Sequence, residues 1–259
     1  MSNIQITENE SGKYSPEWFY NETQKPEWIA FIRKADTLHE NFINHFGIEH
    51  LKSLSGKELL TSLFYNDKGN KLNLCYVLEM DKDMREIFGS IAGGAAYKFG
   101  LFFHKKTQSW TCGSPAKPVK LTENEAIQKA EEIRNDLVAG AEIISSFGPL
   151  NSTADYEQLY KQLEHISGIN TVWRMKYYQM LFPILFAPFY GQDIQLDVLH
   201  FLNQTPSEIP FIRMGQIALF SKKCNIPGIV FGHIWGRSTN HNNESNDSET
   251  NTLSDKKHK

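Results

Sequence analysis

Thr122 and Glu125 stand three residues apart, just ahead of Ala126, Ile127, Ala130, Ile133, Leu137, Ala141 and Ile144. The pair reads as a capping box, in which two side chains satisfy backbone N–H groups that a first helical turn leaves orphaned. The apolar residues recur at the helical period and so line one stripe of a long helix. A stripe of that length must be covered by another layer, so the chain has to fold with helices packed on a sheet or on one another.

The flanking sequence supplies both kinds of partner. Pro26 opens a helix carrying Trp28, Ile32, Ala35, Leu38, Phe42 and Phe46, which Gly47 ends, and Ser55 with Glu58 suggests a second capping box ahead of Leu59, Leu60, Leu63 and Phe64. After a turn cluster at Asn66–Asn70, three segments predict strands: 72–80 by alternation, then 97–104 and 109–113 flanking Lys105-Lys106-Thr107-Gln108 as a hairpin. Past Phe147-Gly148-Pro149 the periodicity is helical at 156–166, 173–183, 195–202 and 212–224, and 229–236 closes as an extended segment. The expected fold is α+β, a small antiparallel sheet packed with helices and followed by a mostly helical C-terminal half. The division is a flexible arm over 1–25, an α+β domain over 26–148, a helical domain over 149–236 and a disordered polar tail over 237–259.

The totals exclude several classes. With a net charge of −3 the chain is no wholly basic nucleic-acid coat, although a local basic face is allowed. Cys75, Cys112 and Cys224 are too far apart for a zinc knuckle or redox pair and read as reduced thiols. The polar, acidic N-terminus is no signal peptide and the apolar runs are too short to span a bilayer, so the expectation is a cytoplasmic protein without a membrane partner.

Five glycines lie between Phe88 and Pro118, which raises the question of a phosphate cradle. The P-loop spacing fails, since Gly56-Lys57 is followed by Glu58 and Gly93-Gly94 by Ala95, and the dinucleotide GxGxxG spacing is absent. The glycines read as structural, letting a loop approach the sheet closely, and no cofactor is expected. No histidine pair has metal-ligand spacing. No hydrolase elbow occurs, and Glu79, Asp81 and Lys82 only loosely match a nuclease strand. What remains is a set of cations around the hairpin, namely Lys98, His104, Lys105, Lys106, Lys117 and Lys120, with Trp110 among them. Cations beside an aromatic can hold nucleic acid, and lysine-rich hairpin tips also occur simply to aid solubility and blunt sheet edges. Trp173, Lys176, Tyr177 and Met180 share a helical face that reads as core.

Several segments taken in order resemble one family. FGIEHLKSLSGKELLTSLF, YVLEM through FGSIAGGAAYKFGLF, TQSWTCGSPAKP, and EAIQKAEEIR to LVAGAEII resemble the region upstream of the ATPase in McrB-like restriction proteins. WRMKYYQMLFPILFAPFY and GQIALFSKKCNIPGIVFGHIWG resemble the helical segment that follows it, so the likeness covers roughly residues 46–236. The resemblance implies a non-catalytic recognition module in DNA-directed defence, binding DNA or partnered with an AAA+ ATPase or nuclease subunit. The family's Walker A motif has no counterpart here, so nucleotide hydrolysis by this chain is not implied. The rival expectation is a protein-interaction scaffold that never touches nucleic acid.

Overall fold

The computed structural model describes residues 14–64, 71–92, 96–114 and 116–237. The arm before Tyr14, the turn cluster at 66–70, Gly93 and Gly94, and the tail from 238 onward lie outside the described residues. Six helices come first: α1 (Pro16–Glu22), α2 (Pro26–Phe46), α3 (Ile48–Ser53), α4 (Gly56–Leu63), α5 (Leu74–Glu79) and α6 (Lys82–Phe88). A 3-10 turn at Ala96–Phe99 leads into β1 (Leu101–His104), β2 (Ser109–Ser114) and β3 (Lys117–Leu121). Helices α7 (Glu123–Ser146), α8 (Thr153–Leu163), α9 (Val172–Leu181), α10 (Gln192–Phe201) and α11 (Pro210–Lys223) follow, and α12 covers 228–237. The α+β architecture with its helical C-terminal half is therefore present.

The capping box at α7 forms as the residue types require: the Thr122 hydroxyl accepts from Glu125 N–H, and Glu125 Oε2 accepts from Thr122 N–H at 2.7 Å. Its stripe of Ala126, Ala130, Ile133, Leu137, Ala141 and Ile144 is buried. The second expected box does not form. Ser55 is the N-cap of α4 but makes no side-chain cap bond, and Gly56 enters the helix at φ +55°.

Two expected extended segments are helical. Residues 72–80 contain α5, because Asn73 accepts from Tyr76 N–H at 2.8 Å and nucleates a turn. Leu74, Cys75, Val77 and Leu78 then bury together at helical spacing, a pattern that short apolar runs share with strands. Residues 229–236 lie in α12, where Val230 and Ile234 sit one turn apart in the core. Conversely, β3 was not expected. It is an exposed edge strand whose Lys117-Pro118 start carries little apolar signal.

The sheet is antiparallel in the order β1-β2-β3. Its register pairs Phe103 with Trp110 and Trp110 with Leu121 on one face, and Phe102 with Thr111 and Thr111 with Lys120 on the other. The first face supplies Leu101 and Trp110 to a continuous core that runs from Phe19 and Phe42 through Trp173 and Tyr177 to Phe231. Phe19 of α1 is fully buried, its ring 5.1 Å from that of Phe231. Helices α8 and α11 touch where Gly215 carries no side chain, since any Cβ there would overlap the Tyr156 ring.

Helix α9 lies at the centre. Nine of its ten residues are buried, Arg174, Lys176 and Gln179 among them, and only Val172 at its start is exposed. A helix apolar nearly all round belongs inside, and its few polar side chains are carried in with it. Their hydrogen bonds must then be found within the protein.

Candidate functional site

The cations singled out from the sequence separate into three groups. Lys105 and Lys106 sit exposed in the turn between β1 and β2, beside His104 at the end of β1. Thr107 N–H donates to His104 Nδ1 at 3.2 Å, which places the hydrogen of the neutral ring on Nε2. Lys120 is exposed on the outer sheet face, in cross-strand register with Thr111, and Lys117 is exposed at the far end, in register with Ser114. The five residue steps along β2 from Ser109 to Ser114 separate the two ends by roughly 17 Å. None of these four lysines forms an ion pair among the described residues.

Lys98 and Trp110 are not part of that exposed set. Lys98 pairs with Glu79 at the end of α5 and donates to the Ile91 carbonyl at 3.0 Å. Trp110 is only 6 % exposed, with its ring edge-on to Phe103 at 5.3 Å, so no face of it is open for a base to stack on. Two alternating positions on β2 are enough to decide this, because Trp110 falls on the core face by register. Glu79, Asp81 and Lys82 likewise assemble no nuclease centre. Glu79 holds Lys98, and Asp81 caps α6 by accepting from Met84 N–H at 2.9 Å.

A sequence signal that the cation-by-cation reading passes over is the absence of acids. Between Glu86 and Glu123 the chain has no carboxylate at all while carrying Lys98, Lys105, Lys106, Lys117 and Lys120. In a chain of net charge −3, that run concentrates positive charge on one small sheet.

The other concentration of polar chemistry is internal, and the sequence reading placed it in the core without comment. Lys176 on α9 is 0 % exposed, and its Nζ donates to the Gly89 carbonyl at 2.6 Å and lies 5.7 Å from the centre of the Tyr190 ring. No carboxylate among the described residues pairs with it. Burial pushes its pKa down to about 7, with Arg85 acting the same way, Asp81 opposing, and Lys98 adding a smaller downward push. Tyr190 O–H donates to the Phe88 carbonyl at 2.6 Å, and Gln179 lies 2.9 Å from the same hydroxyl. A phenol has one proton, and it goes to the closer carbonyl. Gln179 is then best satisfied with its NH2 turned toward the hydroxyl oxygen, which gives a chain from Gln179 through Tyr190 to Phe88. His233 of α12 completes the ring by donating through Nε2 to the Ile87 carbonyl at 3.1 Å, and burial holds its pKa below the usual imidazole value.

These bonds answer the question about the glycines for their described part. Residues 87–91 present carbonyl oxygens inward, from Ile87, Phe88, Gly89 and Ile91, each met by a side-chain donor. A phosphate cradle needs converging N–H groups, so this geometry has the opposite polarity. The carbonyls belong to the C-terminal end of α6 and the residues just past it, where acceptors without a helical partner take side-chain donors. Gly89 is required there. Its φ is +76°, and a Cβ would stand 3.2 Å from both the Pro188 carbonyl oxygen and the Tyr190 ring. Arg134 serves α3 similarly, donating to the Leu51 and Leu54 carbonyls at 2.9 Å.

Elsewhere, a surface groove of about 550 Å³ lies between α8 and the start of α11, lined by Glu157, Tyr160, Lys161, Glu164 and Glu208. Among the described residues no group of three His, Cys, Asp or Glu side chains could hold a metal ion, and no helix is long and apolar enough to cross a membrane. Comparison with family models, with curated proteins and with solved structures gives no match.

Proposed function

We propose that this chain is a non-catalytic recognition module, similar to the region upstream of the ATPase in McrB-like restriction proteins, which contacts DNA phosphates through the basic sheet. The observation that carries the reading is the acid-free run from Ile87 to Thr122, whose Lys105, Lys106, Lys117 and Lys120 are exposed on one small sheet and form no ion pair among the described residues. With Trp110 buried, contact is with the phosphate backbone and not by base stacking, so it positions DNA without reading sequence. Partnership with an AAA+ ATPase or nuclease subunit is the remainder of the same proposal and rests on the order of the resembling segments.

The test is fluorescence anisotropy on plain and cytosine-modified duplexes across a salt series. Each phosphate contact releases counterions, so affinity falls steeply with salt, and replacing the four lysines by glutamine lowers the slope of log affinity against log salt by about 3 to 4. Absence of binding to either duplex at low salt, or an unchanged slope in the variant, removes the DNA reading. Recovery of a protein partner by a pull-down from nuclease-treated lysate, alongside that absence, would favour the interaction scaffold.

A further inference from the structure

We propose that residues 87–92 form a proton-sensitive strap, fastened over α9 by Lys176 and released when the Lys176 amine takes up a proton.

The strap runs from the last turn of α6 over Gly89, Ser90 and Ile91, and four side chains from elsewhere in the fold hold its carbonyls. Three of the four can donate without any change of charge: Tyr190 on Phe88, His233 on Ile87 and Lys98, already paired with Glu79, on Ile91. Lys176 differs. It is fully enclosed, and among the described residues its single hydrogen bond goes to Gly89 and no carboxylate pairs with it. The charged and titratable groups around it are Arg85 and Asp81 of α6, Lys98 of the 3-10 turn with Glu79 of α5, and Tyr190. Farther along α9, Arg174 is taken by Asp136 of α7, and His39 of α2 meets the Leu181 carbonyl. Cations therefore face the amine from two elements while the nearest carboxylates cap a helix or hold Lys98. A neutral amine keeps the Gly89 bond at no electrostatic cost. An ammonium in the same place is unhydrated and repelled, and it regains water only if the strap lifts. Gly89 gives the strap its pivot, since its positive φ is reached by glycine without strain. The device stands on this geometry and does not require the DNA reading.

Hydrogen exchange followed by mass spectrometry on the full chain tests it, with rates corrected for the intrinsic effect of pH. Between pH 8.5 and 6.5 the protection of peptides covering 87–92 should fall more than tenfold while that of α7 stays constant. In Lys176→Met, which keeps the side-chain volume without a charge, the strap should show no such change. Protection of 87–92 that is flat with pH in the natural chain overturns the proposal, whether or not the variant folds, and so does a pH response that survives in Lys176→Met.

Discussion

The sheet and α9 use the same residue type to opposite ends. Lys105, Lys106, Lys117 and Lys120 hold their ammonium groups at the surface, and the amine of Lys176 is enclosed by protein. On the sheet a lysine costs little and contributes little to folding, and its charge remains available to a partner. Inside, the same side chain is expensive, and it is retained where the end of α6 has a carbonyl to satisfy and no room for solvent. Surface charge and buried hydrogen bonding are thus separated in this fold by exposure, not by residue identity.

The largest expected effect breaks that contrast by removing the buried charge. Lys176 titrates near 7 in the folded chain and near its ordinary 10.5 when unfolded, so between those values the unfolded chain holds a proton that the folded chain lacks. Stability therefore rises with pH across that window, and below pH 7 the whole cost of burial is present. Denaturant unfolding should show Lys176→Met gaining on the natural protein by about 3 kcal/mol more at pH 7 than at pH 9.5. Equal gains at both values would place the lysine in a hydrated setting like that of the sheet.

Gly89→Ala comes next. It forces a side chain into a positive-φ position already in contact with Pro188 and Tyr190, and a loss of about 2 kcal/mol in unfolding free energy is expected. Tyr190→Phe leaves the Phe88 carbonyl and Gln179 without their shared partner, at a cost of about 1.5 kcal/mol measured by the same method. Smallest is the effect of Lys105→Gln or Lys120→Gln on stability, within about 0.5 kcal/mol of zero. A loss above 1 kcal/mol at either of these would show that the sheet lysines hold the fold together, and the contrast between the two regions would fail.

Much of the helical frame was legible because its signals are local. The Thr122–Glu125 box and the stripe behind it needed no tertiary information, and neither did the hairpin around Lys105–Gln108. Residues 72–80 and 229–236 were misread as extended because a short apolar run satisfies both periods, and only burial against neighbours selects one. The exposure of Lys105 and Lys106 followed from the turn they form, whereas the placement of Lys117 and Lys120 on β3 and the burial of Trp110 turned on strand pairing. Lys176 gave one faint clue, its place in a helix of Trp, Met, Tyr and Leu.

By itself the sequence determined where α2 and α7 start, where the hairpin turns back on itself and where charge accumulates without acids, because capping, turn formation and net charge depend on residues a few positions apart. Tertiary structure alone decided which lysine is dry, which carbonyls it meets and which aromatic faces inward. Those outcomes join α6 to α9 and α12 across more than eighty positions, and desolvation is a property of everything packed around a group, not of the residues beside it in the chain.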